Sequence, residues 1–214
     1  MDATRILIIC AGTIGMYLQM LLRRKHFPEV AHWKLPVISI LLTIAGVAGA
    51  MLLYFIETGR FGGTSLFGSI FFIPVLLLPV MFLGIRFSRL MDLCAPAECL
   101  MLALMKLDCL LSGCCFGKYL PALDFQFPSQ IVEMIFFIVV MVLLLLLERK
   151  ESNRGRIYGY YLVIYGIVRF ILNWFRYSAA PFVWILPAGN FWSLISIALG
   201  LIWLAAVKPR TASR

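Results

Sequence analysis

The stretch from Ile131 to Leu147 reads IVEMIFFIVVMVLLLLL, seventeen residues with one ionisable side chain, Glu133. A helix of about 20 mostly apolar residues spans a bilayer core. A strand crossing lipid in a barrel would alternate polar and apolar residues instead. No alternation is present, so this segment predicts a transmembrane helix. Working outward, six further runs carry the same signature, giving spans near residues 4–22, 35–56, 65–85, 93–114, 128–148, 157–176 and 185–207. Pro187, Gly189 and Asn190 interrupt the start of the last one.

The whole chain of 214 residues fits this reading. It is 63% hydrophobic and 14% charged, with a mean hydropathy of +0.97, against roughly 45–50% apolar and about 25% charged in a soluble domain. The net charge of +9 lies in short blocks between apolar runs. That is loop asymmetry, and it argues against a nucleic-acid partner. One set of loops carries 13 Lys and Arg, among them Arg23, Arg24, Lys25, Arg149 and Lys150; the other carries Arg5, Arg60, Lys118 and Arg176. The predicted architecture is an all-α integral membrane protein of about seven transmembrane helices in a single domain, residues 1–214. Its N-terminus lies outside and its C-terminus is cytoplasmic. The first run has no small-residue cleavage site and is read as a retained helix.

The six cysteines are 10, 94, 99, 109, 114 and 115. Most lie in apolar runs, where Cys is a small apolar filler. They show no CxxC spacing, so neither a metal site nor a cofactor is expected, and the two histidines fall in a loop.

Glu98, Lys106, Asp108, Glu133 and Arg169 fall inside predicted spans. An Arg, Lys or Asp at mid-bilayer costs about 2.5–3.5 kcal/mol on insertion scales. Such groups therefore face one another or a polar cavity. For Glu98 the plain structural reading is a buried ion pair that fixes helix register. Tyr158, Tyr161, Tyr165, Arg169, Asn173 and Arg176 recur at steps of three or four and share one helix face. A planar guanidinium on such a wall suits a phosphate.

Four segments in order resemble the prolipoprotein diacylglyceryl transferase family. They are Gly62-Gly63-Thr64-Ser65-Leu66-Phe67-Gly68, the stretch KLDCLLSGCCFG from Lys106 to Gly117, Pro128-Ser129-Gln130-Ile131-Val132-Glu133, and YGIVRFILNWFR from Tyr165 to Arg176. A weaker echo is Gly189-Asn190-Phe191-Trp192-Ser193. The resemblance implies a seven-helix enzyme of the bacterial cytoplasmic membrane. It would move the diacylglyceryl group of phosphatidylglycerol to a prolipoprotein cysteine thiol. It implies Arg169, Lys106 and Glu133 as the catalytic centre. Arg176, Asn173, Tyr165, Gln130, Ser129, Gly68, Asp108 and Cys109 would line the substrate site. Expected partners are phosphatidylglycerol or another anionic phospholipid and prolipoproteins, with the chain acting as a monomer. Five positions depart from the family pattern: Phe67 stands where the family has His, Lys106 and Val47 where it has Arg, Asp108 where it has Gly, and Asn173 where it has an acidic residue.

Two expectations follow. Lys106 and Arg169 converge on one phosphate, on the order of 5–8 Å apart, with Asp108 and Glu133 as their resting partners. The cysteines, Cys114 and Cys115 included, act as packing residues. The alternative to a transferase is a non-catalytic phospholipid- or partner-binding protein of the same fold; a thiol-redox protein using Cys114 and Cys115 is the weaker third reading.

Overall fold

The computed structural model describes residues 3–121, 124–176, 181–183 and 186–208. Arg210 and Arg214, counted above among the loop charges, lie outside the described residues. Seven α-helices follow in order: α1 (Ala3–Leu22), α2 (Lys34–Thr58), α3 (Leu66–Leu76), α4 (Phe87–Leu111), α5 (Ser129–Glu148), α6 (Ile157–Leu172) and α7 (Ala188–Ala206). Five of them, α1, α2, α5, α7 and α6 together with the 3-10 turn that extends it to Phe175, are long and apolar enough to cross a membrane.

Two spans differ from the expected ones. The third is split. Pro74 lies near the end of an 11-residue α3, and a 3-10 stretch, Leu78–Leu83, follows with Pro79 at its start. Proline has no N–H to donate and its ring crowds the preceding turn, so the helix does not run to residue 85. The fourth starts six residues early and ends at Leu111, before Gly113 turns the chain at φ 61°. Cys114 and Cys115 are therefore in a turn, not in a helix.

α4 is the central element. It packs on α1, α5 and α6; α2 packs on α1 and α3, and α6 on α7. Centrality explains its composition, because Asp92, Glu98, Lys106 and Asp108 are all buried on it. The outer helices are the reverse case. On α5 only Glu133, Phe137, Val140, Leu144 and the two ends are buried, at steps of three and four. Ile135, Val139 and Leu143 are exposed. That is the pattern of a helix with a protein-facing stripe and a lipid-facing side.

At one end of the bundle the C-termini of α1 and α5 meet the N-termini of α4 and α6. Pro96 inside α4 leaves the carbonyl of Asp92 without its helical donor. Arg23 fills the gap: Nη2 donates to that carbonyl at 3.0 Å, and Nη1 to Leu93 O at 2.9 Å. Its Nε and Nη2 also bind the Glu148 carboxylate. The Asp92 carboxylate accepts from the backbone N–H of Gly155 and, at 2.9 Å, of Ile157, capping α6 from a neighbouring helix.

Candidate functional site

The opposite end gathers the C-termini of α4 and α6 and the N-terminus of α5. Glu133 sits one turn into α5, which begins directly after Pro128. Proline is suited to a helix start because its missing N–H would have no helical acceptor there. Lys106, on the last turns of α4, places Nζ 2.6 Å from Glu133 Oε2. Arg169, on the last turn of α6, reaches Glu133 Oε1 at 2.7 Å. Arg176 reaches the same oxygen at 2.6 Å.

One carboxylate is thus ringed by three cations, leaving two positive charges in excess. Lys106, Glu133 and Arg169 are buried, while Arg176 is partly open. Nε of Arg169 has no hydrogen-bond partner among the described residues, so part of its donor fork is unused there. Lys106 and Arg169 are held by opposite oxygens of one carboxylate, which places them within a single small anion's reach.

The loop after α4 closes over this ring. Its hairpin pairs β1 (Tyr119–Leu120) with β2 (Phe125–Gln126). Gly117 bridges to Arg176, and Lys118 N donates to Phe175 O at 2.8 Å. A Cβ on Gly117 would lie 2.7 Å from Phe127 O and 2.8 Å from Phe175 O, so only glycine lets the two segments approach. Phe127 and Phe175 stack alongside, with centroids 5.0 Å apart. This clamp positions Arg176, which lies beyond the helical part of the predicted stripe.

The other expected site residues separate into groups. Tyr165 is fully buried one turn before Arg169, between Phe137 (5.9 Å, stacked) and Phe67 (5.2 Å, edge-on). Phe67 therefore completes an aromatic wedge where the family has an ionisable ring. Asn173 follows the end of α6, with its side chain against Gly189.

Asp108 does not share the ring. Its carboxylate pairs with Arg5 of α1 at 3.0 Å, because it projects from α4 on the side away from α5. Ser129 and Gln130 are turned to the backbone of the cysteine turn: Ser129 Oγ donates to Cys115 O at 2.6 Å, and Gln130 Nε2 to Cys114 O. Gly68 lies in the crossing of α2 and α3. A Cβ there would run into Gly49 O, and a Cβ on Gly49 would lie 2.5 Å from Gly68 O. Its role is close helix approach. Val47 is exposed on the lipid side of α2. Glu98 is buried beside Tyr161, but it forms no ion pair among the described residues. The ion pair weighed as the plain structural reading of Glu98 is not found among the described residues, where Lys106 is turned to Glu133.

Cys109, Cys114 and Cys115 bring their sulfur atoms within 4.8 Å of one another. Cys94 and Cys99 are core fillers as expected, whereas Cys115 is exposed and Cys109 and Cys114 are half-buried. Sequence reading missed this grouping; the available signal was a vicinal pair of cysteines bracketed by Gly113 and Gly117. Hydrogen bonding from Cys109 lowers the Cys115 thiol to about 5, against the opposing effect of burial, with help from Cys114, Lys106 and Arg176.

The fold is a bundle of helices, several long and apolar enough to cross a membrane, with a cation-rich ring around one buried carboxylate at one end. The family model for prolipoprotein diacylglyceryl transferase matches residues 5–206, and the chain belongs to that family. A phosphatidylglycerol–prolipoprotein diacylglyceryl transferase of Clostridium tetani is 29% identical over 127 residues, covering 53% of this chain and 51% of the relative. A second relative of the same name, numbered 2, from Clostridium perfringens is 26% identical over 128 residues, covering 53% and 50%. The chain spans about half the length of the curated relatives it matches.

Proposed function

We propose that this protein transfers the diacylglyceryl group of phosphatidylglycerol, or of a related anionic phospholipid, to the cysteine thiol of a prolipoprotein or a related acceptor. It acts as a monomer in the bacterial plasma membrane, crossing it seven times with the N-terminus outside. The observation that carries the reading is the ring of Lys106, Arg169 and Arg176 on the single carboxylate of Glu133. The outside placement of the ring rests on the loop charges, and the pairing of Arg5 near the start of α1 with Asp108 near the end of α4 supports it.

In this reaction the acceptor sulfur attacks the glyceryl carbon that bears the phosphate. A C–S bond forms, the C–O bond to phosphate breaks, and glycerol phosphate leaves with the electron pair. Charge develops on the phosphate oxygen, and preorganised cations in a water-poor site stabilise that change most. Arg169 and Arg176 offer planar donor forks to the phosphate, and Lys106 a compact charge. A phosphate seated among them competes with Glu133 for the same donors. The displaced carboxylate then accepts the thiol proton, a role open because Phe67 supplies no base.

The same aromatic wedge of Phe67 on Tyr165 favours a second reading, in which the ring holds a phospholipid headgroup without turnover. Labelled phosphatidylglycerol and a lipobox peptide, incubated with membranes containing or lacking the protein, separate the two. Mass spectrometry should find the diacylglyceryl-thioether peptide only with the protein present. Retained lipid with unmodified peptide would favour the binding protein. Neither modification nor retention would remove both readings.

A further inference from the structure

The turn that follows α4 has features that neither packing nor the transferase chemistry uses. Three sulfurs lie within 4.8 Å of one another, and those of Cys114 and Cys115 are 3.4 Å apart. Three sulfurs bound to one metal at the usual distance of about 2.3 Å stand about 4 Å from each other. The cluster is therefore within a side-chain adjustment of that geometry.

The backbone holds it there. Gly113 at φ 61° and Cys115 at φ 63° reverse the chain twice, and a left-handed conformation is unfavourable for a residue with a Cβ. Three contacts maintain it: Cys114 N donates to Cys109 O at 3.0 Å, and Ser129 and Gln130 hold the carbonyls of Cys115 and Cys114. The reversal places Cys115 Sγ over Cys109 instead of letting it diverge.

We propose that Cys109, Cys114 and Cys115 bind one thiophilic metal ion of the zinc class, with a fourth coordination position open on the exposed side of Cys115. Binding replaces each S–H by a sulfur–metal bond and releases the protons to water; no atom changes oxidation state. Carboxylates do not contribute, since Asp108 is paired with Arg5 and Glu133 with the three cations. An open fourth position would take water or a further thiol, whereas a closed four-ligand site is purely structural.

The test uses the full chain in detergent, reduced and handled without oxygen, titrated with zinc and then with cadmium as a spectroscopic probe. The expected result is one ion per chain and three sulfur neighbours by X-ray absorption. Cys109→Ser, Cys114→Ser and Cys115→Ser should each weaken binding beyond the roughly 10–100-fold typical of losing an outer-shell partner. Cys10→Ser should leave it unchanged. Thermal unfolding of each variant without metal identifies any that have lost the fold, and protection of Cys115 from alkylation by metal in the unaltered chain gives a readout that needs no variant. A stoichiometry near zero, binding that survives the triple serine variant, or coordination by nitrogen and oxygen alone would overturn the site. So would quantitative formation of a Cys114–Cys115 disulfide that metal cannot prevent.

Discussion

The two ends of the bundle handle buried charge in opposite ways. At one end Arg23 meets Glu148 and two backbone carbonyls, and Arg89 lies between Asp92 and Glu29. Within these contacts three carboxylates meet two guanidinium groups, and much of the hydrogen bonding goes to backbone that Pro96 and the start of α6 leave open. At the other end one carboxylate faces three cations, and a guanidinium nitrogen has no hydrogen-bond partner among the described residues. The first arrangement is complete as it stands. The second is short of negative charge, and a lipid phosphate would supply it. On the proposed reading, the difference separates charge used to join helices from charge held for a ligand, although both are ion pairs in the same bundle.

The largest expected effect is from Glu133→Gln. Breaking a buried pair by removing one partner costs about 3–5 kcal/mol, and here three cations lose their common counter-ion. Stability in detergent should fall by that order, and transfer to a lipobox peptide should be lost. Glu148→Gln should destabilise comparably through Arg23, while turnover per folded molecule stays near the unaltered value. Equal loss of turnover per folded molecule in both variants would erase the contrast between the ends.

Next in size is Arg169→Lys. It keeps the charge and removes the fork, so apparent affinity for phosphatidylglycerol should fall with little change in melting temperature. The loss of one charge-assisted hydrogen bond, about 1.5–3 kcal/mol, corresponds to roughly 10–100-fold in binding. Lys106→Arg restores the family residue and should retain lipid binding. A smaller effect is expected from Asp92→Asn, about 0.5–2 kcal/mol for a weakened helix cap, read by thermal unfolding and without effect on lipid affinity.

The smallest concerns Glu29, in the loop before α2. Burial raises its proton affinity, but a backbone hydrogen bond and Arg89 outweigh that and hold the carboxyl below its ordinary value. A group depressed in the folded state stabilises above its unfolded pKa, and that contribution is lost as pH falls through the folded value. Glu29→Gln should therefore cost no more than about 1 kcal/mol at neutral pH, and the difference from the unaltered chain should vanish in acid.

Most of the bundle was legible because long apolar runs have one solution in lipid. The breaks were not. The run through Pro74 and Pro79 stays apolar to residue 83, so hydropathy alone carries the span past the point where backbone hydrogen bonding fails. In the candidate site, Lys106, Glu133 and Arg169 stand out as ionisable residues within apolar stretches. Their mutual distance follows from family spacing and helix faces. Pairings fixed only by tertiary packing left no local trace: Arg5 and Asp108 are 103 positions apart. Ser129 and Gln130 read equally well as substrate contacts or as braces for a turn. The cysteine turn was hidden by its own composition, since Cys, Phe and Gly extend an apolar run without signalling that the helix has ended.

The charge on α4 has a consequence for how the protein is made. Arg89, Asp92, Glu98, Lys106 and Asp108 all ride on this helix. An insertion machinery that releases helices singly into lipid would meet in α4 a segment that lipid rejects. Its counter-charges arrive at different times: Arg5 and Glu29, the partners of Asp108 and Arg89, precede it from the ribosome, whereas Glu133 follows. The first half of the chain can therefore shelter one end of α4 early, while Lys106 waits near the exit until α5 has emerged, making synthesis of α5 the step that commits the protein to its membrane.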